Sequence, residues 1–277
     1  MKTKVTLSDQ LRNNIVFENI DSTKDLSEHY LNFDIIVVDN FISQEDIMHL
    51  QDSQIKNKNN PSVGSKVPIQ DLIKKPDILF RNTESARVLR DTYYKISNFA
   101  FKRYGLFNDN IVRSYFDGTL ASLKAQAEQV NVRFRLIDEP DDMHLDSYTG
   151  EPLRMFVNLD AAPRVWRTSY NQLEGLNMLS KKRFFDTIED IDLLKEKTTN
   201  NQDLKSNINN KINKEVLYDY QNKKNRSPYH ELELASGALW ICNSKRVSHQ
   251  VVKGNRLLVF SRNYPALSIT QDYLPKT

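Results

Sequence analysis

Cysteine is almost absent from this chain, whose 277 residues include only Cys242. A single thiol excludes an internal disulfide framework of the kind that stabilises small secreted domains. In the apolar run Trp240-Ile241-Cys242 this thiol is typical of a small buried residue and not of a nucleophile. Because a chain without disulfides suits a reducing compartment, we expect the protein to be cytoplasmic.

Long apolar runs and a strong charge of either sign are also missing. No window approaches the roughly 18 consecutive apolar residues of a membrane span, and residues 1–10 lack the apolar core of a secretory signal. The formal net charge of +3 is too small to indicate nucleic-acid binding by itself. The sequence also contains no P-loop or dinucleotide fingerprint. These absences favour a globular protein that binds a small molecule and no nucleic acid.

Short apolar runs, separated by Gly, Pro, Asp and Asn turns, dominate the chain from residue 110 onward. They predict strands at 111–116, 130–137, 153–159, 238–242, 248–252 and 257–261. Many short strands in succession are typical of a sandwich, a barrel or a jelly roll.

Helical patterns precede the strand-rich region. A buried strand at 34–38 is followed by the capping box Ser43-Gln44-Glu45-Asp46, which predicts a helix through about residue 55. An apolar stripe predicts a second helix over 83–104. These elements predict a mixed protein, mainly β with α, that has N-terminal helices.

Residues 180–228 are rich in Lys, Asn and Asp and interrupt the strands. They predict a helical insertion, with helices near 184–197 and 208–221, that covers one mouth of the core. A solvated surface excursion without a role is an equal alternative. We expect a single domain over 1–277, and its parts are N-terminal support at 1–108, a core at 109–179 and 229–277, and the insertion at 180–228.

The segment His144-Leu145-Asp146 carries the strongest chemical signal. On an extended chain residues i and i+2 point to the same face, so His144 and Asp146 aim an imidazole and a carboxylate at one point. His249, on another predicted strand, is the candidate third ligand. Two His and one carboxylate leave the opposite side of a metal open, which is the facial triad of non-haem Fe(II) oxygenases. A satisfied core histidine is the alternative for His249.

A predicted hairpin supplies a candidate anion-binding residue. Gly254-Asn255 joins two apolar runs, which favours a hairpin turn. In that hairpin His249 would face Phe260, and Arg256 would share the face of His249. A guanidinium near a metal inside a barrel needs an anion, and a dicarboxylate cosubstrate would supply it. A solvent-exposed hairpin residue is the alternative for Arg256.

The other histidines carry weaker signals. His29 lies in a polar stretch and has no partner signal, and His49 lies on the first predicted helix and is expected to be structural. His230 follows Ser227-Pro228-Tyr229 in a predicted loop. We expect His230 to lie outside the metal site.

Three stretches together resemble the 2-oxoglutarate- and Fe(II)-dependent oxygenases: His144-Leu145-Asp146, residues 154–159 and residues 248–256. The resemblance implies a double-stranded β-helix, which is a jelly-roll, cupin-like core, and an enzyme that uses Fe(II), dioxygen and 2-oxoglutarate. It implies that His144, Asp146 and His249 hold the iron. It also implies that Arg256 binds the distal carboxylate of 2-oxoglutarate, with Asn158 as a further contact.

Two further runs, Pro163-Arg164-Val165-Trp166-Arg167 and Trp240-Ile241-Cys242, make the chain similar to the Kdo 3-hydroxylases. These enzymes hydroxylate 3-deoxy-D-manno-oct-2-ulosonic acid (Kdo) in the inner core of lipopolysaccharide. Within that family Arg154, Arg164 or Arg167 would take the cosubstrate carboxylate. Arg256, where that family lacks a basic residue, and a short connection at 147–152 are departures that would indicate a sister group with another substrate.

We therefore expect a 2-oxoglutarate-dependent dioxygenase that hydroxylates an unactivated C–H bond. The candidate substrate is a Kdo glycolipid. An amino-acid or small-metabolite hydroxylase is the alternative enzyme, and a non-catalytic, cupin-like metal-binding protein is the alternative from another class. The lysines of the insertion favour peripheral contact with an anionic inner-membrane surface, at about 1 kcal/mol each, whereas the acidic residues of the same segment oppose it. The lysines are Lys195, Lys197, Lys205, Lys211, Lys214, Lys223 and Lys224.

Overall fold

The computed structural model describes residues 2–51, 67–68, 83–104, 129–134, 141–147, 151–181, 208–219 and 221–264. The predicted strand at 111–116 and the predicted helix near 184–197 lie outside these residues.

Within these described residues, the longest element is a helix of 21 residues. The strands are β1 (Lys4–Thr6), β2 (Ile15–Phe17), β3 (Ile35–Val38), β4 (Val67–Pro68), β5 (Gln129–Phe134), β6 (Glu151–Asn158), β7 (Arg164–Asn171), β8 (Tyr218–Asp219), β9 (Lys224–Asn225), β10 (His230–Leu234), β11 (Leu239–Cys242), β12 (Val247–Lys253) and β13 (Arg256–Tyr264). The helices are α1 (Ser27–Leu31), α2 (Gln44–Gln51), α3 (Thr83–Arg103) and α4 (Gln172–Lys181). A further helix covers 208–217 and ends in a π-helical turn, Asn213–Leu217.

Two large sheets form within the described residues. A four-stranded sheet has the order β1-β10-β7-β12, and a seven-stranded sheet has the order β2-β3-β11-β6-β13-β5-β4. Strand β2 runs parallel to β3, whereas the neighbours of β6, β7 and β11 are antiparallel. These mixed sheets with helices agree with the predicted class, mainly β with α.

Large apolar side chains fill the space between the two sheets. Phe156 and Trp240 of the seven-stranded sheet belong to one buried cluster with Trp166 and Leu232 of the four-stranded sheet. The rings of Phe156 and Trp240 are stacked with their centroids 5.2 Å apart. Because side chains alternate along a strand, Arg154 shares the inner face of β6 with Phe156.

The opposite face of the seven-stranded sheet packs against the N-terminal helices. Met155 and Val157 of β6 belong to a second buried cluster, together with Tyr30 of α1, Ile47 of α2 and Ile96 of α3. The hydroxyl of Tyr30 donates to the carbonyl of Pro152 at 2.6 Å. The helices thereby support the strand that brings Arg154 to the inner face.

The N-terminal predictions agree with the structure where it is described. The strand predicted at 34–38 is β3, and the helix predicted over 83–104 is α3. The Ser43 Oγ accepts the backbone N–H of Asp46 at 3.1 Å, as a capping residue does at the start of α2. Strands β7 and β10 were not predicted, although His230-Glu-Leu-Glu-Leu alternates between polar and apolar residues.

The predicted hairpin around Gly254-Asn255 is wrong. Strand β12 pairs with β7 in one sheet, whereas β13 pairs with β5 and β6 in the other. Both strands present apolar residues to the space between the sheets, so they face each other and do not pair. Gly254, with φ at 135°, makes the turn from one sheet to the other. The hairpin was expected because a Gly-Asn turn between two apolar runs is typical of paired strands. The same sequence pattern also fits two strands that pack face to face in different sheets.

No helix in the described ranges is long and apolar enough to cross a membrane.

Candidate metal centre

Among the residues that the structure describes, the His-x-Asp segment lies along the β12 edge of the four-stranded sheet. The backbone N–H of His144 donates to the carbonyl of His249 at 3.0 Å, and the N–H of His249 donates to the carbonyl of His144 at 2.8 Å. This exchange of hydrogen bonds places the two histidines directly opposite each other. Residues distant in the sequence are thus brought together by backbone pairing.

His144, Asp146 and His249 converge as predicted. His144 Nε2 lies 3.7 Å from Asp146 Oδ1, and His249 Nε2 lies 3.8 Å from Asp146 Oδ2. One potential ligand atom from each residue lies within 4.8 Å of the other two. Two imidazoles and one carboxylate therefore surround a single point.

Backbone carbonyls orient both imidazoles. His144 Nδ1 lies 2.7 Å from the carbonyl oxygen of Asp142, and His249 Nδ1 lies 3.2 Å from that of Val247. A proton on each Nδ1 satisfies these contacts and leaves the Nε2 lone pair for a metal. The ring of His249 also stacks on Trp166, with the centroids 5.9 Å apart, which restricts its rotation.

The charge state of His249 suits a metal ligand. Burial lowers the pKa of His249 to about 4, and the neighbouring His144 adds to the effect. His249 is therefore neutral at physiological pH. Burial opposes protonation of His144, but the nearby carboxylate of Asp146 and the hydrogen bond to the carbonyl of Asp142 raise its pKa above the ordinary value.

Asp146 is a buried carboxylate held in its charged form. Burial alone would raise the pKa of Asp146, but His249, His144 and Arg154 together lower it below the ordinary range. Arg154 Nη1 donates directly to Asp146 Oδ2. The same nitrogen lies 3.2 Å from Ser244 Oγ, and the guanidinium lies over the ring of Phe156.

Comparison of the sequence with models of known protein families identifies the family of this chain. The family model described as 3-deoxy-D-manno-oct-2-ulosonic acid (Kdo) hydroxylase matches residues 115–266. That match covers more than half of the chain and includes His144, Asp146 and His249. The chain belongs to the Kdo hydroxylase family. No curated protein matches its sequence.

Solved structures of a Kdo hydroxylase share the fold. They are of KdoO, a non-haem Fe(II) alpha-ketoglutarate (2-oxoglutarate)-dependent dioxygenase. The complex of KdoO with cobalt(II) has a TM-score of 0.55 and 15% sequence identity, and the match covers 91% of this chain and 90% of that chain. The complex with alpha-ketoglutarate and Fe(III) has a TM-score of 0.52 and 15% identity, with the same coverage of both chains. The apo structure has a TM-score of 0.53 and 14% identity, again over 91% and 90% of the two chains.

The sequence of this Kdo hydroxylase offered several residues that could bind the cosubstrate. Of these candidates, Arg154 is the one that the structure places at the triad. Arg154 is 4% exposed on the inner face of β6, in contact with Asp146. It was one of several candidates because a strand pattern shows which residues share a face but not which face is internal.

Arg256 lies elsewhere, contrary to the expectation that it shares the face of His249. Leu258 and Phe260 of β13 belong to the cluster on the helix side of the seven-stranded sheet, and alternation places Arg256 on that same side. The backbone N–H of Arg256 donates to Asp160 at the turn. The expectation depended on a hairpin between β12 and β13. Because these strands do not pair, nothing places the Arg256 side chain beside that of His249.

Asn158 shares the inner face of β6 but has structural partners. Its Nδ2 donates to the carbonyls of Ala162, Leu234 and Ala235 at 3.1–3.2 Å. Its Oδ1 accepts the N–H of Asp160 at 3.0 Å, and the residue is 0% exposed. The amide joins the two sheets at the end of β6 and does not reach the triad.

Arg167 and Arg164, the other candidates, lie away from the triad. Arg167 pairs with Glu231 at 2.7 Å and lies over the ring of Tyr229, on the outer side of the four-stranded sheet. Arg164 is buried against the turn after β12, where a Cβ on Gly254 would lie 2.7 Å from its Nη1.

Ser244 is a site residue that the sequence did not signal. Its carbonyl accepts the N–H of Asp146 at 2.9 Å, and its hydroxyl contacts Arg154. It lies in the turn before β12, and a serine in such a turn carries no distinctive pattern. The role of Trp166 against His249 was equally hidden, because β7 was not predicted as a strand.

His230 lies outside the metal centre, as predicted, and has a clear structural role. It is 2% exposed on the inner face of β10. Its Nδ1 accepts the N–H of Ser8 at 2.9 Å, and its Nε2 lies 3.2 Å from the carbonyl of Asn13. The neutral imidazole satisfies both contacts, whereas a proton on Nδ1 would break the first. Burial lowers the pKa of His230 below 6.5, although the contact with Asn13 opposes this.

Acidification should therefore destabilise the protein through His230. The unfolded chain takes up a proton near pH 6.5, but the folded chain does so only at a lower pH. The contribution of His230 is then fully present above about pH 6.5 and falls as the pH drops towards its native pKa. Urea unfolding of metal-free protein at pH 7.5 and 5.0 measures this. We expect the loss of stability between the two pH values to be smaller in His230→Gln, and an equal loss would contradict the assignment.

Proposed function

We propose that this protein is an Fe(II)- and 2-oxoglutarate-dependent hydroxylase whose substrate is a Kdo sugar. The observation that carries the proposal is the convergence of His144, Asp146 and His249 in a chain of the Kdo hydroxylase family. A protein that only binds metal has no need for a centre that leaves coordination positions open.

The donor set fits Fe(II). Two imidazoles and one carboxylate form the facial triad that non-haem Fe(II) oxygenases use, and hard-metal sites made of oxygen alone lack the imidazoles. His249 is neutral and Asp146 is charged, so both are in the form that binds a cation. Iron held by these residues would supply the activation of dioxygen and the cleavage of a C–H bond.

The residues of the chain bind and orient. The two Nε2 atoms and the Asp146 carboxylate would hold the cation, and the cosubstrate and the substrate would approach it from the side that these three residues leave uncovered. Trp166 stacks on His249, and it belongs to a buried apolar cluster with Trp240 and Phe156 between the sheets. This apolar cluster excludes water beside His249 and raises the strength of the charge interactions there.

Arg154 is the proposed cosubstrate-side cation. Its contact with Asp146 places a fixed positive charge on the inner face of β6, beside the position of the metal. An anionic cosubstrate that approaches the metal is attracted by this charge. We assign no cosubstrate contact to Arg256, Asn158 or Arg167, because each lies away from the triad.

We propose that the strands around the triad form the double-stranded β-helix. Its core then consists of residues 109–179 and 229–277, with support from 1–108 and an insertion at 180–228. Support comes from the two packed sheets and from the fold shared with KdoO. In this arrangement β6 and β13 belong to one sheet, and β7, β12 and the His-x-Asp edge belong to the other.

The Kdo substrate is tested by turnover. The purified protein is incubated with Fe(II), ascorbate and 2-oxoglutarate, together with Kdo-lipid A, free Kdo or a panel of free amino acids. We expect one oxygen to be added to the Kdo unit, a mass gain of 16 Da, with one succinate formed per product. Succinate formation on an amino acid with no change to Kdo would contradict the proposal in favour of a small-metabolite hydroxylase.

The two Kdo arms also test the carrier of the sugar. We propose a glycolipid substrate at the cytoplasmic face of the inner membrane, supported by the basic side chains of the insertion. Lys214, Lys223 and Lys224 are exposed, whereas Lys195, Lys197 and Lys205 lie outside the described residues. Turnover of Kdo-lipid A without turnover of free Kdo would support the lipid carrier, and the reverse would remove it.

A further inference from the structure

The helix at 208–217 packs directly behind the His-x-Asp segment. Along residues 143–146 the side chains alternate: His144 and Asp146 face the metal, whereas Met143 and Leu145 face the other way. Met143 and Leu145 are buried in a cluster with Ile212, Val216 and Leu217 of this helix. The ligand segment is therefore a layer between the metal and the helix.

Asn213 binds the backbone of the residue between the two ligands. Its Oδ1 accepts the N–H of Leu145 at 2.7 Å, and its Nδ2 donates to the carbonyl of Leu145 at 3.0 Å. The side chain of Asn213 thus binds both the backbone N–H and the backbone carbonyl of Leu145. The two bonds fix the rotation of the segment, because a rotated Leu145 would lose both.

Asn209, one helical turn before Asn213, binds the next residue of the segment. Its Nδ2 donates to the carbonyl of Asp146 at 2.8 Å and to the carbonyl of Lys245 at 2.9 Å. Gln172 of α4 donates to the Oδ1 of Asn209 at 2.6 Å. Asn209 is 0% exposed, so water does not replace these bonds. It joins the His-x-Asp segment to the turn before β12, the strand that carries His249.

The position of the helix is itself fixed by α4. Gly175 of α4 lies so close to Ile212 that a Cβ on the glycine would lie 2.6 Å from Ile212 Cγ2. Residues 209 and 213 lie four apart and thus on one face of the helix. This face points to the ligand segment, and Asn210 on a different face makes only an exposed contact with Ser147.

We infer that Asn209 and Asn213 are positioning residues that hold His144 and Asp146 in the metal-binding arrangement. This part of the insertion is then a frame for the metal centre and not a solvated surface excursion. The inference rests on the proposed function in one respect, which is that His144 and Asp146 bind a metal. The hydrogen bonds themselves do not depend on it.

Cobalt(II) affinity is the first test. Outer partners that orient metal ligands typically change metal affinity by about 10- to 100-fold when they are replaced. We expect Asn213→Ala and Asn209→Ala to raise the Kd for cobalt(II) by about tenfold or more, measured by absorption well below the unfolding temperature. Asn210→Ala is the matched control and should stay within about twofold of the wild type. Equal weakening in all three variants would overturn the inference.

Amide hydrogen exchange of the metal-free protein is the second test. Asn213→Ala removes the acceptor of the Leu145 N–H, so we expect this amide to exchange at least about tenfold faster. Asn209→Ala removes donors to carbonyls and should leave the Leu145 amide nearly unchanged. If Asn213→Ala does not fold, Gly175→Ala displaces the helix through Ile212 and should also weaken cobalt(II) binding. Unchanged cobalt(II) affinity and unchanged Leu145 exchange in a folded variant would overturn the inference.

The two tests separate the inference from the proposed function. A wild-type protein that binds no cobalt(II) would contradict the metal centre, and the exchange of the Leu145 amide would still decide whether Asn213 holds the segment. A wild-type protein that binds cobalt(II), with variants that bind it equally well, would contradict only the role of the asparagines.

Discussion

Replacing Asp146 with alanine should abolish tight cobalt(II) or Fe(II) binding and lower succinate formation by about a thousandfold or more. Asp146 is the one carboxylate of the triad, and it lies 3.7–3.8 Å from the Nε2 atoms of both histidines. Two neutral imidazoles alone give a cation neither charge neutralisation nor a third fixed ligand. Isothermal titration with cobalt(II), followed by a succinate assay with Fe(II), measures both effects.

Asp91→Ala is the control for this prediction. Asp91 is a half-exposed carboxylate on α3 that pairs with Arg87 on the helix surface. Its removal deletes the same charge from the protein but leaves the triad intact. We expect metal affinity and turnover to remain at the wild-type level. Retention of tight metal binding by Asp146→Ala would mean that the cation is held by other residues.

Replacing Arg154 with methionine should strongly destabilise the metal-free protein and partly spare the metal-bound one. Arg154 and Asp146 form a buried pair, and removal of one partner of such a pair typically costs about 3–5 kcal/mol. Methionine keeps most of the apolar stem over Phe156, so the loss of the charge is the main change. For a domain of this size we expect the Tm to fall by about 10 °C. Saturating cobalt(II) replaces the missing positive charge at Asp146, so it should raise the Tm of the variant more than that of the wild type.

Arg167→Met provides the comparison. Arg167 lies on the adjacent sheet, and its ion pair with Glu231 is partly exposed to solvent. Exposed ion pairs contribute at most about 1 kcal/mol, so this variant should unfold close to the wild-type temperature. A metal-free Arg154→Met protein that is as stable as Arg167→Met would contradict the role of Arg154 as the counter-charge of Asp146.

The convergence of His144, Asp146 and His249 was partly predictable from the sequence because the signal of the first two residues is local. Alternation along an extended chain brings His144 and Asp146 to one face whatever the rest of the fold does. The pairing of this segment with His249 depends on the topology, but a lone histidine on a strand left few alternatives. The strand β3 and the helix α3 were predictable for the same reason, since their patterns lie within one segment.

Which of the candidate arginines lies beside the triad was not predictable, because the answer depends on which strands pair. The Gly254-Asn255 turn has the composition of a hairpin, and the assumption of pairing placed Arg256 beside His249. In the structure the turn joins two sheets, and Arg154 takes the place near the triad. The apolar face of β13 fits either arrangement, so the sequence pattern does not distinguish them.

The frame behind the ligand segment was hidden for a different reason. Asn209 and Asn213 lie in a polar, lysine-rich stretch, where asparagine is ordinary. Their role arises from hydrogen bonds to the backbone of Leu145 and Asp146. Because every residue type has these backbone groups, the sequence does not indicate which residues such a side chain binds. Ser244 escaped detection in the same way.

The location of bound cobalt(II) in crystals of the protein, found by anomalous scattering at the cobalt edge, tests the central claim most directly. The account predicts one strong peak bounded by His144 Nε2, an Asp146 carboxylate oxygen and His249 Nε2, each roughly 2.0–2.2 Å away. It also predicts that the side facing away from these three ligands holds only water or added 2-oxoglutarate. A peak bound by other residues, or no bound cobalt(II) when the three side chains are in place, would contradict it.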